Sequence, residues 1–311
     1  MSDIRLLVIC VLAVLLPGGC DTADTPSCEG LASLTGDLVI KVNHQGMERE
    51  AMVHVPASYD ATRATGVVLN LHPFYFDAKW QRGYTRVEQA AELRGWITVH
   101  PEGTGTPVGW DGGGCCTEGV VDDVGYIAAL LDQLSARLCV DRRRVFAAGF
   151  SNGGVMGYRL ACEMADRVAA IAVVSGFDAT TSCSPARASS LLHIFSKDEP
   201  QEKVAGQPVT LPGMTTTVVS KGSVKSVEDR LTLYHCSDGP RATFAKGDVS
   251  CQSWSGCDDD AEVELCTITG AGHTWPGAGQ DPLLGSALGP TNQDLDATSY
   301  ILDFFAAHPM P

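Results

Sequence analysis

The hydrophobic positions along this chain change period several times, and each change predicts an element. From Leu38 to Val42 and from Ala51 to Val55, apolar and polar residues alternate on either side of a turn at Gly46, the period-two pattern of an antiparallel hairpin with one buried face. Gly66 to Leu71 is an apolar run interrupted only by Asn70, as expected of a strand covered on both faces. Beyond it, helix-like and strand-like stretches alternate. Arg86 to Arg94 has helical spacing, Trp96 to His100 reads as a buried strand, Asp122 to Leu138 as a long amphipathic helix and Val145 to Gly149 as a strand. Gly154 to Met164 follows as a helix, with Val168 to Ser175 and Leu191 to Phe195 as strands. Lys203 to Lys221 carries Gly, Pro, Thr and Ser without a period and reads as a surface excursion. Ser226 to His235 predicts a helix, Glu262 to Thr269 a strand, and Ala297 to Ala306 a closing amphipathic helix. Strands alternating with helices predict an α/β architecture, a mostly parallel central sheet flanked by helices.

Composition sets the environment of that fold. With 311 residues, 44% of them hydrophobic, the chain can bury one sizeable core. The predicted organisation is a signal segment over 1–20, a flexible tether over 21–35 and one catalytic domain over 36–311. Arg5, the apolar run Leu6 to Leu16 and Pro17-Gly18-Gly19-Cys20 read as an export signal too short for a transmembrane span. The small residues before Cys20 favour lipoprotein processing, with lipidation of Cys20, over ordinary signal cleavage. The expected location is therefore extracytoplasmic, secreted or tethered to the cell envelope. Ten further cysteines, Cys28 to Cys266, predict a disulfide-stabilised domain in an oxidising compartment. For the adjacent pair Cys115-Cys116, bonds to two different partners are expected rather than one strained bond between them. A formal net charge of −15 and a pI near 4.8 oppose contact with nucleic acid or an anionic membrane. No nucleic-acid partner is expected, and membrane contact only through the N-terminal anchor. No C-x-x-C or H-x-x-x-H spacing supports a metal, and Asp258-Asp259-Asp260 reads as a solvated turn rather than a calcium site.

The chemistry concentrates at a few points. Gly149-Phe150-Ser151-Asn152-Gly153 satisfies G-x-S-x-G between a predicted strand and a predicted helix, a setting that forces a serine into a strained turn with its hydroxyl projecting. Ser151 is the candidate nucleophile. His273 lies in a glycine-flanked loop after the last predicted strand and is the candidate base. Asp198 and Glu199, after the Leu191 to Phe195 strand, both stand where an orienting acid belongs, and sequence does not choose between them. The backbone N–H of Asn152 and, because Pro73 has none, that of Phe74 are the candidate oxyanion donors. Trp110, Tyr75 and Trp275 are the aromatic candidates for contact with substrate, with core packing as the alternative role.

Four segments together resemble the secreted polyhydroxybutyrate depolymerase and feruloyl esterase group of α/β-hydrolases. They are Trp110-Asp111-Gly112-Gly113-Gly114-Cys115-Cys116, Val121-Asp122-Asp123-Val124-Gly125-Tyr126, the Gly149 to Gly154 elbow with Tyr158-Arg159-Leu160-Ala161-Cys162, and Gly272-His273-Thr274-Trp275-Pro276-Gly277. The resemblance implies an α/β-hydrolase without a large lid, using no cofactor, that cleaves hydroxycinnamoyl esters or short 3-hydroxyacid polyesters. It assigns the nucleophile and base positions to Ser151 and His273. An ungapped reading of Ser196 to Pro200 against the group's Gly-x-x-Asp-Pro puts Glu199 at the acid. His72-Pro73 stands where the group has His-Gly. A peptidase and a noncatalytic binding module on a hydrolase scaffold are the other readings weighed; a module is expected to have lost one of the three catalytic groups.

Overall fold

The computed structural model describes residues 28–116, 121–209, 217–279 and 287–311. The expected signal segment and Cys20 lie outside them, as does part of the 203–221 excursion. The alternating segments form the hairpin β1 (Gly36–His44) and β2 (Met47–Val55), with Gly36 opposite Val55. The continuous apolar runs become β3 (Thr65–Leu71), β4 (Ile97–Pro101), β5 (Val140–Phe150), β6 (Ala170–Val174) and β7 (Ser190–Ser196). Every residue of β3, β4, β6 and β7 is buried, which is why their sequences show no polar face. Helices α1 (Ala78–Thr85), α2 (Val87–Glu92), α3 (Asp123–Ser135), α4 (Asn152–Glu163), α5 (Pro200–Lys203), α6 (Ser223–Leu233) and α7 (Ala297–Ala307) complete the alternation. A two-stranded ribbon pairs β8 (Pro208–Val209) with β9 (Val218–Val219), and the chain ends its sheet with β10 (Asp238–Lys246), β11 (Val249–Ser255) and β12 (Val263–Ile268).

The main sheet has ten strands in the order β1-β2-β4-β3-β5-β6-β7-β12-β11-β10. Its centre, from β4 through β12, is parallel, and antiparallel strands flank it on both sides. This is the α/β-hydrolase arrangement, and it brings the C-terminal ends of β5, β7 and β12 to one edge. One core packs Tyr126, Leu130 and Leu134 of α3 and Leu160 of α4 against Leu69 and Leu71. The other packs Ile301, Leu302 and Phe305 of α7 against Phe146, Ala148 and Val174, with the Phe146 and Phe305 rings stacked at 4.8 Å.

Three differences from expectation have local causes. The stretch before Arg86 holds an additional helix, α1, which starts where Asp77 accepts the Trp80 N–H at 2.7 Å and is parted from α2 by Arg86 in the left-handed region at φ 55°. β10 was unpredicted because nearly all of it is exposed, so it carries no hydrophobic period. In β11 the buried alternate positions are Val249, Cys251 and Ser253, which hides the period behind a serine.

The ten described cysteines form five disulfides: Cys28–Cys139, Cys115–Cys116, Cys162–Cys183, Cys236–Cys257 and Cys251–Cys266. The first shortens the expected tether, because it fastens Cys28 beside β5 and Leu31 packs on the core. The second corrects the expectation for the adjacent pair. Cys116 takes a positive φ of 85°, Asp111 bridges to Cys116, and the Gly112 N–H bonds Cys115 O at 3.1 Å, so a tight turn brings the two sulfurs together. Asp258–Asp260 is an exposed turn in which two carboxylates are engaged, Asp258 by His235 at 2.6 Å and Asp259 by the Ala188 N–H at 2.8 Å.

Candidate active site

Ser151 occupies the turn between β5 and α4 with φ 53° and ψ −118°, a conformation that costs a non-glycine residue energy and persists only where its surroundings enforce it. The enforcement is visible. The Ser151 N–H bonds Val174 O at 2.8 Å, and Ser151 O accepts the Val155 N–H at 3.0 Å. A Cβ on Gly149 would lie 2.1 Å from Gly153 O, and one on Gly153 would lie 2.2 Å from Leu71 O. The two glycines of the motif thus let the first turn of α4 approach the end of β3. The N–H of Asn152 sits in that first turn, where an α-helix leaves its amides without an intrahelical acceptor.

His273 follows β12 in a loop drawn onto the backbone of residues 288–290. Gly272 N–H bonds Pro290 O at 2.8 Å, His273 N–H bonds Leu288 O at 2.7 Å, and a Cβ on Gly272 would collide with Leu288 O at 1.9 Å. The imidazole Nδ1 lies 2.7 Å from Glu199 Oε2, and the Glu199 carboxylate is only 1% exposed. The His273 ring is centred 5.0 Å from that of Phe150, which places it over the residue preceding Ser151. Asp198 is exposed and turned elsewhere: its Oδ2 accepts the Gly270 N–H at 2.7 Å, while Ser196 Oγ donates to Ala271 O at 2.7 Å. Of the two adjacent carboxylates, Glu199 therefore meets the imidazole, and Asp198 holds the backbone that carries it.

The loop after β3 is fixed from beneath by a residue the sequence reading did not single out. His72 is fully buried, accepts the Gly103 N–H on Nε2 at 2.8 Å and donates from Nδ1 to Pro73 O at 2.9 Å. Burial holds its pKa down at about 4, so the ring is neutral and keeps this donor and acceptor pattern. The next amides are engaged, Tyr75 N–H with Val108 O at 3.0 Å and Phe76 N–H with Pro73 O at 3.3 Å. Asn152 adds a second fastening: its side chain accepts the Trp110 N–H at 2.7 Å and donates to Trp110 O at 3.0 Å. Loop 110–116 is further held by Asp111, whose N–H bonds Asp123 Oδ2 at 2.7 Å and whose carboxylate pairs with Arg159 at 3.0 Å.

The aromatic candidates separate. Tyr75 is 47% exposed, at a φ of 74°. Trp110 and Trp275 are fully buried, with their indole N–H groups on His72 O at 3.0 Å and Thr298 Oγ1 at 2.9 Å. They stiffen the walls from behind and present no surface to a ligand, which corrects the expectation for both. Among the described residues, two groups of side chains have metal-ligand spacing, and members of both have other partners. Cys251 and Cys266 beside Glu264 are bonded to each other, and Asp37, His54 and Glu88 surround Arg82, which pairs with Asp37 at 2.8 Å and Glu88 at 2.6 Å.

No protein-family model matches the chain. By sequence it is 28% identical over 242 residues to feruloyl esterase B of Piromyces equi, covering 72% of this chain and 42% of that protein. It is 32% identical over 174 residues to a probable feruloyl esterase C of Aspergillus clavatus, 54% of this chain and 59% of that one. A bifunctional acetylxylan esterase/xylanase of Neocallimastix patriciarum is 25% identical over 230 residues, 74% and 31% of the two chains. The chain thus spans between 31% and 59% of the length of these relatives. Among solved structures, an acetyl xylan esterase from Aspergillus awamori aligns with a TM-score of 0.59 at 14% identity, covering 76% of this chain and 94% of that one. Native sOPH aligns at 0.56 and 16% identity over 91% and 90%. These structures share the fold, and the sequence relatives match the group that the four motif segments resemble.

Proposed function

We propose that this chain is a serine esterase in which Ser151, His273 and Glu199 form the catalytic triad. The observation that carries the proposal is the buried 2.7 Å contact between His273 and Glu199 at the edge where Ser151 projects from a strained strand-to-helix turn. In the first step Ser151 Oγ attacks the ester carbonyl carbon as its proton passes to His273 Nε2, and Glu199 holds the ring by Nδ1 and stabilises the imidazolium. The carbonyl oxygen, now negative, is met by the N–H groups of Asn152 and Phe74; one such donor is worth about 10²- to 10³-fold in rate. The imidazolium returns its proton to the leaving alkoxide, and water repeats the sequence to free the acid and Ser151.

The sequence relatives named feruloyl esterase favour hydroxycinnamoyl esters of plant polysaccharide as the substrate class over a short-chain polyester. Five disulfides support action in an oxidising compartment outside the cytoplasm. The test is hydrolysis of methyl ferulate beside a soluble 3-hydroxybutyrate oligomer, with Ser151→Ala as control. Faster turnover of ferulate supports the reading. Preference for the oligomer assigns a polyester instead, and hydrolysis of neither returns weight to a binding module.

A further inference from the structure

Apart from the two cores that sandwich the sheet, a third apolar cluster stands at the edge where Ser151 emerges. It consists of Phe74, Cys115, Cys116, Val155 and Val218, with Phe177 and Ala179 packed against it. The members come from several pieces of the site: Phe74 from the loop after β3, Cys115 and Cys116 from loop 110–116, Val155 from the start of α4, Phe177 and Ala179 from just beyond β6. Phe177 is half-buried, and Phe74 and Cys116 each keep 6% of their surface. Loop 110–116 is pressed onto α4 so closely that a Cβ on Gly112 would lie 2.4 Å from Val155 Cγ1, and one on Gly114 would lie 2.5 Å from Ala179 O.

The chemistry proposed for the site gives this cluster a direction. The leaving oxygen must reach His273 Nε2, so the alcohol half of an ester lies on the histidine side. The carbonyl oxygen must reach the amides of Asn152 and Phe74. The remaining substituent of the carbonyl carbon, the acyl chain, is then directed away from His273 and over Phe74, Val155 and the two cysteines. We infer that the Cys115–Cys116 disulfide, with Phe177 at its margin, is the apolar floor of the acyl subsite and sets the preference for a large flat acyl group. Bonded to each other, the two sulfurs are polarizable and apolar with no thiol donor, Cys115 and Cys116 keep only 2% and 6% of their surface, and the bond keeps the turn from separating them. Asp111, Asp123 and Arg159 hold the floor in register with Asn152 through Trp110. The inference rests on the esterase reading and adds to it which residues select the acyl chain.

The test compares two esters with the same leaving group, 4-nitrophenyl ferulate and 4-nitrophenyl acetate, in the full chain and in the double variant Cys115→Ala/Cys116→Ala. Loss of the floor is expected to lower the ratio of kcat/KM for ferulate over acetate about tenfold, the scale of discrimination that an apolar pocket supplies. The change should lie in KM, because neither the disulfide nor Phe177 touches a reacting atom. Phe177→Ala, which leaves the disulfide intact, is expected to lower the same ratio in the same sense and keeps the test open should the double variant fail to fold. An unchanged ratio in a folded variant overturns the inference while leaving the esterase reading in place. Acetate hydrolysis that survives Ser151→Ala overturns both.

Discussion

The two flanks of Ser151 are built differently. On the oxyanion side, side chains distant in sequence hold the backbone: His72 bonds Gly103 across 31 residues, and Asn152 bonds Trp110 across 42. All of these groups are buried. On the histidine side the loop is held mostly by backbone hydrogen bonds, Gly272 to Pro290 and His273 to Leu288, and the functional contact is one carboxylate on one imidazole. A buried side chain that fastens two segments contributes to stability as well as to geometry. A carboxylate that orients a ring contributes chiefly to the reaction. Substitutions on the oxyanion side should therefore lower melting temperature and turnover together, and those on the histidine side turnover alone.

Replacing the proposed nucleophile gives the largest expected effect. Ser151→Ala should reduce kcat by about 10⁴-fold or more with melting temperature nearly unchanged, measured by ester hydrolysis and calorimetry. Glu199→Gln should follow, lowering kcat by about 10³-fold by releasing the ring orientation and removing the charge that stabilises the imidazolium. Asp198→Asn, at the neighbouring position, should cost less than about tenfold, since an amide oxygen still accepts the Gly270 N–H. Equal losses in the two variants would contradict the assignment of Glu199. Asn152→Ala sharpens the contrast between flanks. It removes both bonds to Trp110, and should cost about 2 kcal/mol, or roughly 4 °C, together with a 10- to 100-fold loss in kcat. Loss of activity without loss of stability there would break the comparison.

A further prediction concerns the pH dependence of stability. His72 is neutral in the fold with a pKa of about 4, below the ordinary 6.5 of the unfolded chain. Between these values the unfolded chain binds more protons, so the stability contributed by neutral His72 is complete above pH 6.5 and is lost as pH falls toward 4. By pH 4.5 the loss from this group should be about 2 kcal/mol. The melting temperature of the wild type should accordingly fall more steeply from pH 7 to 4.5 than that of His72→Asn, by about 4 °C. Parallel curves would mean that His72 does not carry the linkage.

Much of this was legible in the sequence because burial on both faces writes itself as predominantly apolar runs, as in β3, β4, β6, β7 and the second half of β5. The elbow at Ser151 was legible for a similar reason, since only glycine fits at 149 and 153. Residue pattern did not choose the acid, because adjacent side chains leave the backbone in different directions and which one meets His273 depends on the loop that follows β7; only the ungapped reading against the resembling group pointed to Glu199. The anchoring role of His72, which the sequence marks only through His72-Pro73, was not legible because its partners, Gly103 N–H and Pro73 O, are backbone groups that no side-chain pattern announces. The Cys115–Cys116 pair was misjudged because strain in an isolated dipeptide was weighed without the turn that Asp111 and Gly112 impose on it.

The central claim is that Ser151 is a nucleophile activated through His273 by Glu199. A serine-directed fluorophosphonate, with the modified residue located by peptide mass, tests it most directly. The account predicts one phosphonyl group, on Ser151, formed at a rate that Glu199→Gln lowers sharply and Asp198→Asn leaves nearly unchanged. Labelling of another residue, or an undiminished rate in Glu199→Gln, would contradict it.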